Sequence, residues 1–566
     1  MVGGGVPNPI TNFYGVFFQD DWKVNSRLTI NLGLRDEYET AWHDSAHLLS
    51  QAMDLSAPVP EMQSNPPQMP AEATQLVGNN FYHYTGAWQF TTSGHPGMWN
   101  APKLALAPRI GMALRIDDKT ALRAGYARYV TPTEYNFTAA PISGFEDINF
   151  LEPPFFGMTG YQNVAPLASG VPQATLSEPF PSTNPLLPNF GPVAGKALGT
   201  NIGRGGENLL WYPQNLTKAY NDRFNINLQR QLPAGFVASF TYFLNVGHQH
   251  YTKELNAVNP SIFQQYASNF SSLTGATVNN PFNHYLNTTI INGPLYYQPT
   301  VPLVSNTYNL LAPYPQYGPL YEIGVCCSDE RYNQIQLKGQ RAFSHGFNFL
   351  ITYVYTRERS QINNFNDVTY YNNTFQWQDS NQPRHRMNIA STYEFPFGKG
   401  RTYLSTAPRA LDALVGGWKI TPVFQYTSGD FPQFGNLIVT GNPCVSNPTP
   451  GHWFNTSAFA PIPANTYVLR TNPLQYDCMT GPHFWDLDAS LAKEFHLTEK
   501  FRAELKMTAY NAMNNLNRGD PNTDITSSNF GTALYQGSPG GTFGSQGATS
   551  AYISGRQVEL GFKILW

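Results

Sequence analysis

The connections between the extended segments of this chain come in two lengths, short and long, and the two alternate along the sequence. The first two segments, FYGVFFQDDWKV and LTINLGLRDEY, are joined by NSR. In the second of them Leu28, Ile30, Leu32 and Leu34 alternate with Thr29, Asn31, Gly33 and Arg35. A period of two sends successive side chains to opposite faces, so this is a strand with one apolar face. LALAPRIGMALRI meets TALRAGYARYV across Asp117-Asp118-Lys119, and DRFNINLQRQL meets FVASFTYFLNV across Pro233-Ala234-Gly235. RYNQIQLKGQRAF meets FNFLITYVYTRE across Ser344-His345-Gly346. RMNIASTYEFPF reaches GGWKITPVFQYTSG through a medium linker, and FWDLDASLAKEF turns at His496 to Glu499 into KFRAELKMTAYNAMN. ISGRQVELGFKILW is the last strand. The pattern predicts about 13 strands. Their long connections run roughly over 40–102, 132–219, 252–329, 359–383, 428–483 and 515–551, rich in Pro, Asn, Gly and Ser.

Loops beyond about 15 residues are uncommon in compact soluble domains. Long loops that all fall at one end of the hairpins are the asymmetry of an antiparallel transmembrane β-barrel, with tight periplasmic turns and long extracellular loops. Charged residues make up 13% and aromatics 14% of the chain. That balance suits a lipid-facing sheet with aromatic girdles, and equally a secreted, aromatic-rich glycan-binding β protein; the loops favour the barrel. No run approaches the roughly 20 apolar residues of a membrane helix. The mean hydropathy of -0.35 is compatible with strands whose two faces average out. A net charge of -3 gives no electrostatic basis for nucleic-acid binding. MVGGGVPNPITNF has neither a basic nor an apolar leader region. An exported barrel needs a leader, so the expectation is that the chain lacks its true start. Placing Trp566 at the periplasmic side puts each short turn in the periplasm. It also makes the first and last strands run the same way, so closure requires further strands.

These segments resemble TonB-dependent outer-membrane receptors. FYGVFFQDDWKVNSRLTINLGLRDEY is similar to a recurrent hairpin of that family. LAPRIGMAL, DRFNINLQRQLPAGF, RHRMNIASTYEFPFG with GGWKITPVFQYTSG, FNTSAFAP, LDASLAKEFHLTEKFRAELKMTAYNAMNN and the FGT of Asn529 to Thr532 resemble its Oar-like branch. The likeness extends from about residue 12 to 566 in the family's order. It implies a 22-stranded barrel of a Gram-negative outer membrane, occluded by a plug and energised through TonB. Residues 1–566 would then be the C-terminal part of that barrel, a fragment of a longer product or a broken gene. The TonB box, plug and regulatory-like domain have no counterpart in this sequence.

No nucleophile elbow, Walker motif or zinc signature is present, so the chain reads as a non-enzyme with no cofactor. His43 and His47, with Asp44 between them, have helical metal spacing but no third ligand in view. His248 and His250 read as a polar strand end. Asp486, Asp488 and Glu504 read as lumen charges, with Arg502 and Lys506 across the strand. Gly537 to Gly547 is glycine-rich, but no helix follows it to make a phosphate cradle. Cys444 and Cys478 share one extracellular loop, where oxidising conditions make a disulfide plausible. Cys326-Cys327 fit a vicinal disulfide or separate thiols. Tyr82, Tyr84, Trp88 and Trp99 fit stacking on sugars or aromatic siderophores, or packing on each other. Val558, Leu560, Phe562, Ile564 and Trp566 form an apolar stripe ending on an aromatic, which resembles the signal read by the barrel-assembly machinery.

The expected partners are outer-membrane lipid, that machinery, the TonB system through an N-terminal region, and an extracellular glycan, peptide or siderophore. The leading function is energised uptake of a loop-bound ligand. A scaffold or adhesion barrel without transport, and a secreted glycan-binding protein, remain as alternatives.

Overall fold

The computed structural model describes residues 10–43, 45, 50–58, 60–133, 209–282, 304–496, 501–533 and 555–565. Thirteen long strands form one sheet in which each pairs antiparallel with the next in sequence. They are β1 (Phe13–Lys23), β2 (Leu28–Glu39), β3 (Leu106–Asp117), β4 (Thr120–Val130), β5 (Tyr220–Gln231), β6 (Phe236–Glu254), β7 (Leu320–Ser344), β8 (Phe347–Ile362), β9 (His385–Glu394), β10 (Trp418–Thr427), β11 (Phe484–His496), β12 (Arg502–Tyr510) and β13 (Gln557–Leu565). One of the two-residue connections, His345-Gly346, has φ of 53° and 76°. Two successive positive φ values twist a two-residue turn to match the flanking strands, and they place Ser344 opposite Phe347.

Long and short connections alternate as the sequence predicts. One boundary differs. The expected loop over 252–329 is shorter, because β6 continues to Glu254 and β7 begins at Leu320. Register shifts between Glu322 and Val325 and between Cys326 and Ser328 break the two-residue period there. A bulge adds a residue to one strand and so scrambles the alternation by which a strand is recognised.

Cross-strand register sorts the side chains onto two faces. On β13, Val558, Leu560, Phe562 and Ile564 stand opposite Ala509, Met507, Leu505 and Ala503 of β12. The reverse face carries Glu559 and Lys563, opposite Thr508 and Glu504. Trp566 lies outside the described residues, as do Asp44 and His47. Among the described residues β1 pairs only with β2 and β13 only with β12. The sheet therefore has two open edges, and its odd strand number makes them run in parallel.

The wall is a single layer, so its strands bury little against one another. The largest fully buried side chains are Phe282, Phe434, Phe454, Met62, Met98, Leu273, Leu310, Leu311 and Leu320. All lie in the long connections except Leu320, which opens β7. One cluster joins Met53 and Met62 to Trp211, Phe263, Leu273, Phe282 and Leu310. Another joins Phe434, Phe454, Phe459 and Met479 to Ile525 and Phe530. The outer connections, expected as irregular polar loops, thus have cores of their own, built with short helices such as Ala71–Val77 and Ser261–Gln265. Tyr467 bridges two of them: it packs on Phe263 and Phe270 and donates its hydroxyl to Asp367 at 2.7 Å.

Candidate functional site in the upper lumen

The polar face of the wall holds a recess of about 460 Å³ near the extracellular ends of β5 to β8. Its floor is one row of cross-strand partners, Arg223, Asn245, Tyr332 and Glu358, each on a successive strand. Sharing a row puts all four side chains on one face. Glu330, Arg331, Gln334 and Phe243 complete the lining. Arg223 donates through Nε to the Asn245 side-chain Oδ1 at 3.2 Å. Its guanidinium also stacks over Tyr129 at 4.5 Å, and Arg109 approaches the same ring at 5.5 Å. Phe243 meets Tyr332 edge to face at 5.9 Å. Arg109 and Arg223 therefore stand on the β3 and β5 side and the two carboxylates, Glu330 and Glu358, on the β7 and β8 side together with Arg331, with an aromatic ledge between them. Such an arrangement orients a polar ligand by its charges and stacks on its flat part.

Further round the inner face, Asp488 accepts from the Asn511 backbone N–H at 3.0 Å. Arg502 and Lys506, expected to face the β11 aspartates, stand opposite His496 and Ala492 instead. Arg502 consequently pairs with Glu494 at 3.1 Å, and Glu504 with Lys419 at 3.6 Å. The charge ladder exists, with its rungs displaced toward the periplasmic end.

The other sequence-derived residues fall elsewhere. Tyr82 is buried and stacks on Tyr84 at 6.1 Å, and Tyr84 meets Phe282. Trp99 is buried between Trp42 and Tyr212 at 6.5 and 5.2 Å. Of the two readings offered for these aromatics, the structure has the rings packing on protein. Trp88 lies in the short strand Thr85–Phe90, and its side chain is outside the described residues. Cys444 and Cys478 form a disulfide with Cα atoms 6.0 Å apart, and Cys326 is joined to Cys327. His248 pairs with Asp329 at 2.7 Å, and His250 lies 2.6 Å from the Thr217 carbonyl. His43 bridges Ile10 and Gly97 through its backbone. The recess itself was missed by sequence reasoning. Its residues look like ordinary lumen polars until the register aligns them.

An antiparallel sheet with one apolar face, one charged face and packed loops at a single end is the wall of a membrane-spanning β-barrel. The chain belongs to the outer membrane beta barrel domain family, which it matches over residues 3–543. It therefore resides in the cell outer membrane. No curated protein sequence matches it. Among solved structures it is similar to the Escherichia coli outer membrane transporter YddB, with 10% identity and a TM-score of 0.38, covering 98% of this chain and 45% of that one. Siderophore receptor PirA of Acinetobacter baumannii gives 8%, 0.38, 98% and 46%. P. aeruginosa FpvA bound to heterologous pyoverdines gives 9%, 0.36, 98% and 38%. The chain thus spans less than half the length of each.

Proposed function

We propose that this chain is the C-terminal part of the barrel of a TonB-dependent receptor of the Oar-like branch, taking up a ligand bound in its outer loops and upper lumen. The observation that carries the reading is the recess of opposed charges on the inner wall, at the extracellular end. A passive wall has no need of a basic and an acidic side facing one cavity. The ordered sequence resemblance supplies the receptor class. The two open, parallel edges support a barrel completed by further strands, about 22 in all. In this reading TonB engages an N-terminal region outside this chain, and the barrel-assembly machinery inserts the product. The ligand is an extracellular glycan, peptide or siderophore.

The test is uptake in cells expressing the whole gene product, with and without a functional TonB system, using a labelled panel of those three ligand classes. Uptake that stops without TonB, and that falls in Arg223→Ala with Glu358→Gln while the barrel still assembles, supports the proposal. The packed outer loops favour a second reading, a scaffold or adhesion barrel. That reading predicts surface binding with no TonB-dependent accumulation.

A further inference from the structure

The outward face of β8 runs Phe347, Phe349, Ile351, Tyr353, Tyr355 and then changes character at Arg357 and Arg359. Its partners on β7 do the same: Leu337 and Ile335 stand opposite Tyr353 and Tyr355, and Arg331 stands opposite Arg359. At roughly 3.3 Å per residue, Phe347 to Tyr355 covers about 26 Å of strand. A tilt near 40° reduces that to about 20 Å along the membrane normal, against an apolar band of about 25 Å. Arg357 therefore stands at the extracellular rim of the band, with Arg359 and Arg331 just above it.

Two further segments bring more charge to the same place. The strand Gln376–Asp379 lies against β8 with Asp379 opposite Arg359 and Trp377 opposite Gln361. Arg384 immediately precedes β9. Arg357, Arg359 and Arg384 all contact the Asp379 carboxylate, at 2.9, 2.7 and 2.8 Å. Arg331 and Arg359 lie over the Trp377 ring at 4.9 and 5.4 Å. Asp477, itself 81% exposed, reaches Arg384 at 3.3 Å. Three guanidiniums thus share two carboxylates, and Arg331 adds a fourth positive charge against the Trp377 ring. A carboxylate accepts in about four directions, whereas four guanidiniums carry roughly twenty N–H donors. Asp379 spaces the guanidiniums and Trp377 holds two of them flat, so the donors are fixed before any ligand arrives.

We propose that this cluster binds the phosphate of an outer-leaflet lipid headgroup. Guanidinium forks match phosphate oxygens in pairs. The position selects the lipid source: Arg357 and Arg359 lie on the face that meets lipid, at headgroup height. Ile335, Leu337 and Ile351 continue the same face below them, where acyl chains run. A soluble phosphate would gain nothing from that apolar continuation.

The test uses the full-length gene product in detergent with phosphorylated lipid A, dephosphorylated lipid A or inorganic phosphate as probe. The expected result is binding of the phosphorylated lipid, with affinity at least about tenfold lower for the dephosphorylated form and for the Arg357→Gln/Arg359→Gln variant. Equal binding of the two lipid forms by the wild-type protein overturns the proposal, and this comparison holds even where the variant does not assemble. Displacement of the lipid by inorganic phosphate at equal concentration also overturns it, because the site would then recognise a soluble anion.

Discussion

Leu560 of β13 stands directly opposite Met507 of β12, and both side chains are exposed on the apolar face. The neighbouring residue, Glu559, stands opposite Thr508 on the other face and accepts from the Tyr510 hydroxyl at 3.3 Å. In an outer-membrane barrel the first face meets lipid. A charge near the bilayer midplane costs roughly 2–4 kcal/mol there and much less in the lumen. Leu560→Arg is therefore expected to lower the yield of heat-modifiable barrel well below that of Glu559→Arg. Equal yields would show that this face does not contact lipid.

Cys444 and Cys478 tie the connection between β10 and β11 beside Met479, which is buried in one of the loop cores. A cross-link at a sequence separation of 34 removes roughly 3–4 kcal/mol of loop-closure entropy in the chain-entropy account. Peptide mapping without reduction should recover the two cysteines in one linked species. Cys478→Ser should expose the connection to protease while leaving the strands protected. Recovery of both thiols free would remove the prediction.

The wall was legible because its physics is local. A two-residue period and a turn residue identify each hairpin without knowledge of the rest, and the strand count follows from them. The loop cores were not legible. Phe434, Phe454, Phe263 and Leu310 follow no fixed spacing, and what gathers them is contact between connections far apart in sequence. The lumen recess failed for a related reason. Arg223 and Glu358 share a row only through the registers of three successive strand pairs. The arginine cluster was half visible: Arg357 and Arg359 share a face by alternation alone, whereas Asp379 and Arg384 join them only through the added strand.

Burial of Trp99 and Phe454 separates packing from recognition. Trp99 is 4% exposed and Phe454 fully buried, each among other aromatic rings. Truncating such a side chain to alanine costs about 3–5 kcal/mol. Trp99→Ala and Phe454→Ala should each increase proteolytic opening of their own loop. Ligand affinity should fall only under conditions where that loop has opened. A loss of affinity with the loop still closed to protease would show direct contact between ring and ligand.

Asp430 gives the outer loops a pH dependence whose direction follows from its surroundings. It lies just beyond β10, is almost fully buried, and its Oδ1 has no hydrogen-bond partner among the described residues. Burial, then the negative charge of Asp520, push its carboxyl up to about 7 against the pull of Arg386. An opened loop would return it to roughly 3.9. The closed loop therefore holds the proton more tightly than the open one. Its stabilisation is fully present below about pH 4 and is lost as pH rises through about 7. Hydrogen exchange across 428–483, corrected for intrinsic base catalysis, should show opening increase from about pH 4 to about pH 7 and level off above it. Asp430→Asn should abolish that step, because an amide stays neutral throughout. Asp520→Asn should move the step to lower pH, since one source of the upward shift is gone. A step that persists unchanged in Asp430→Asn would assign the titration to another group.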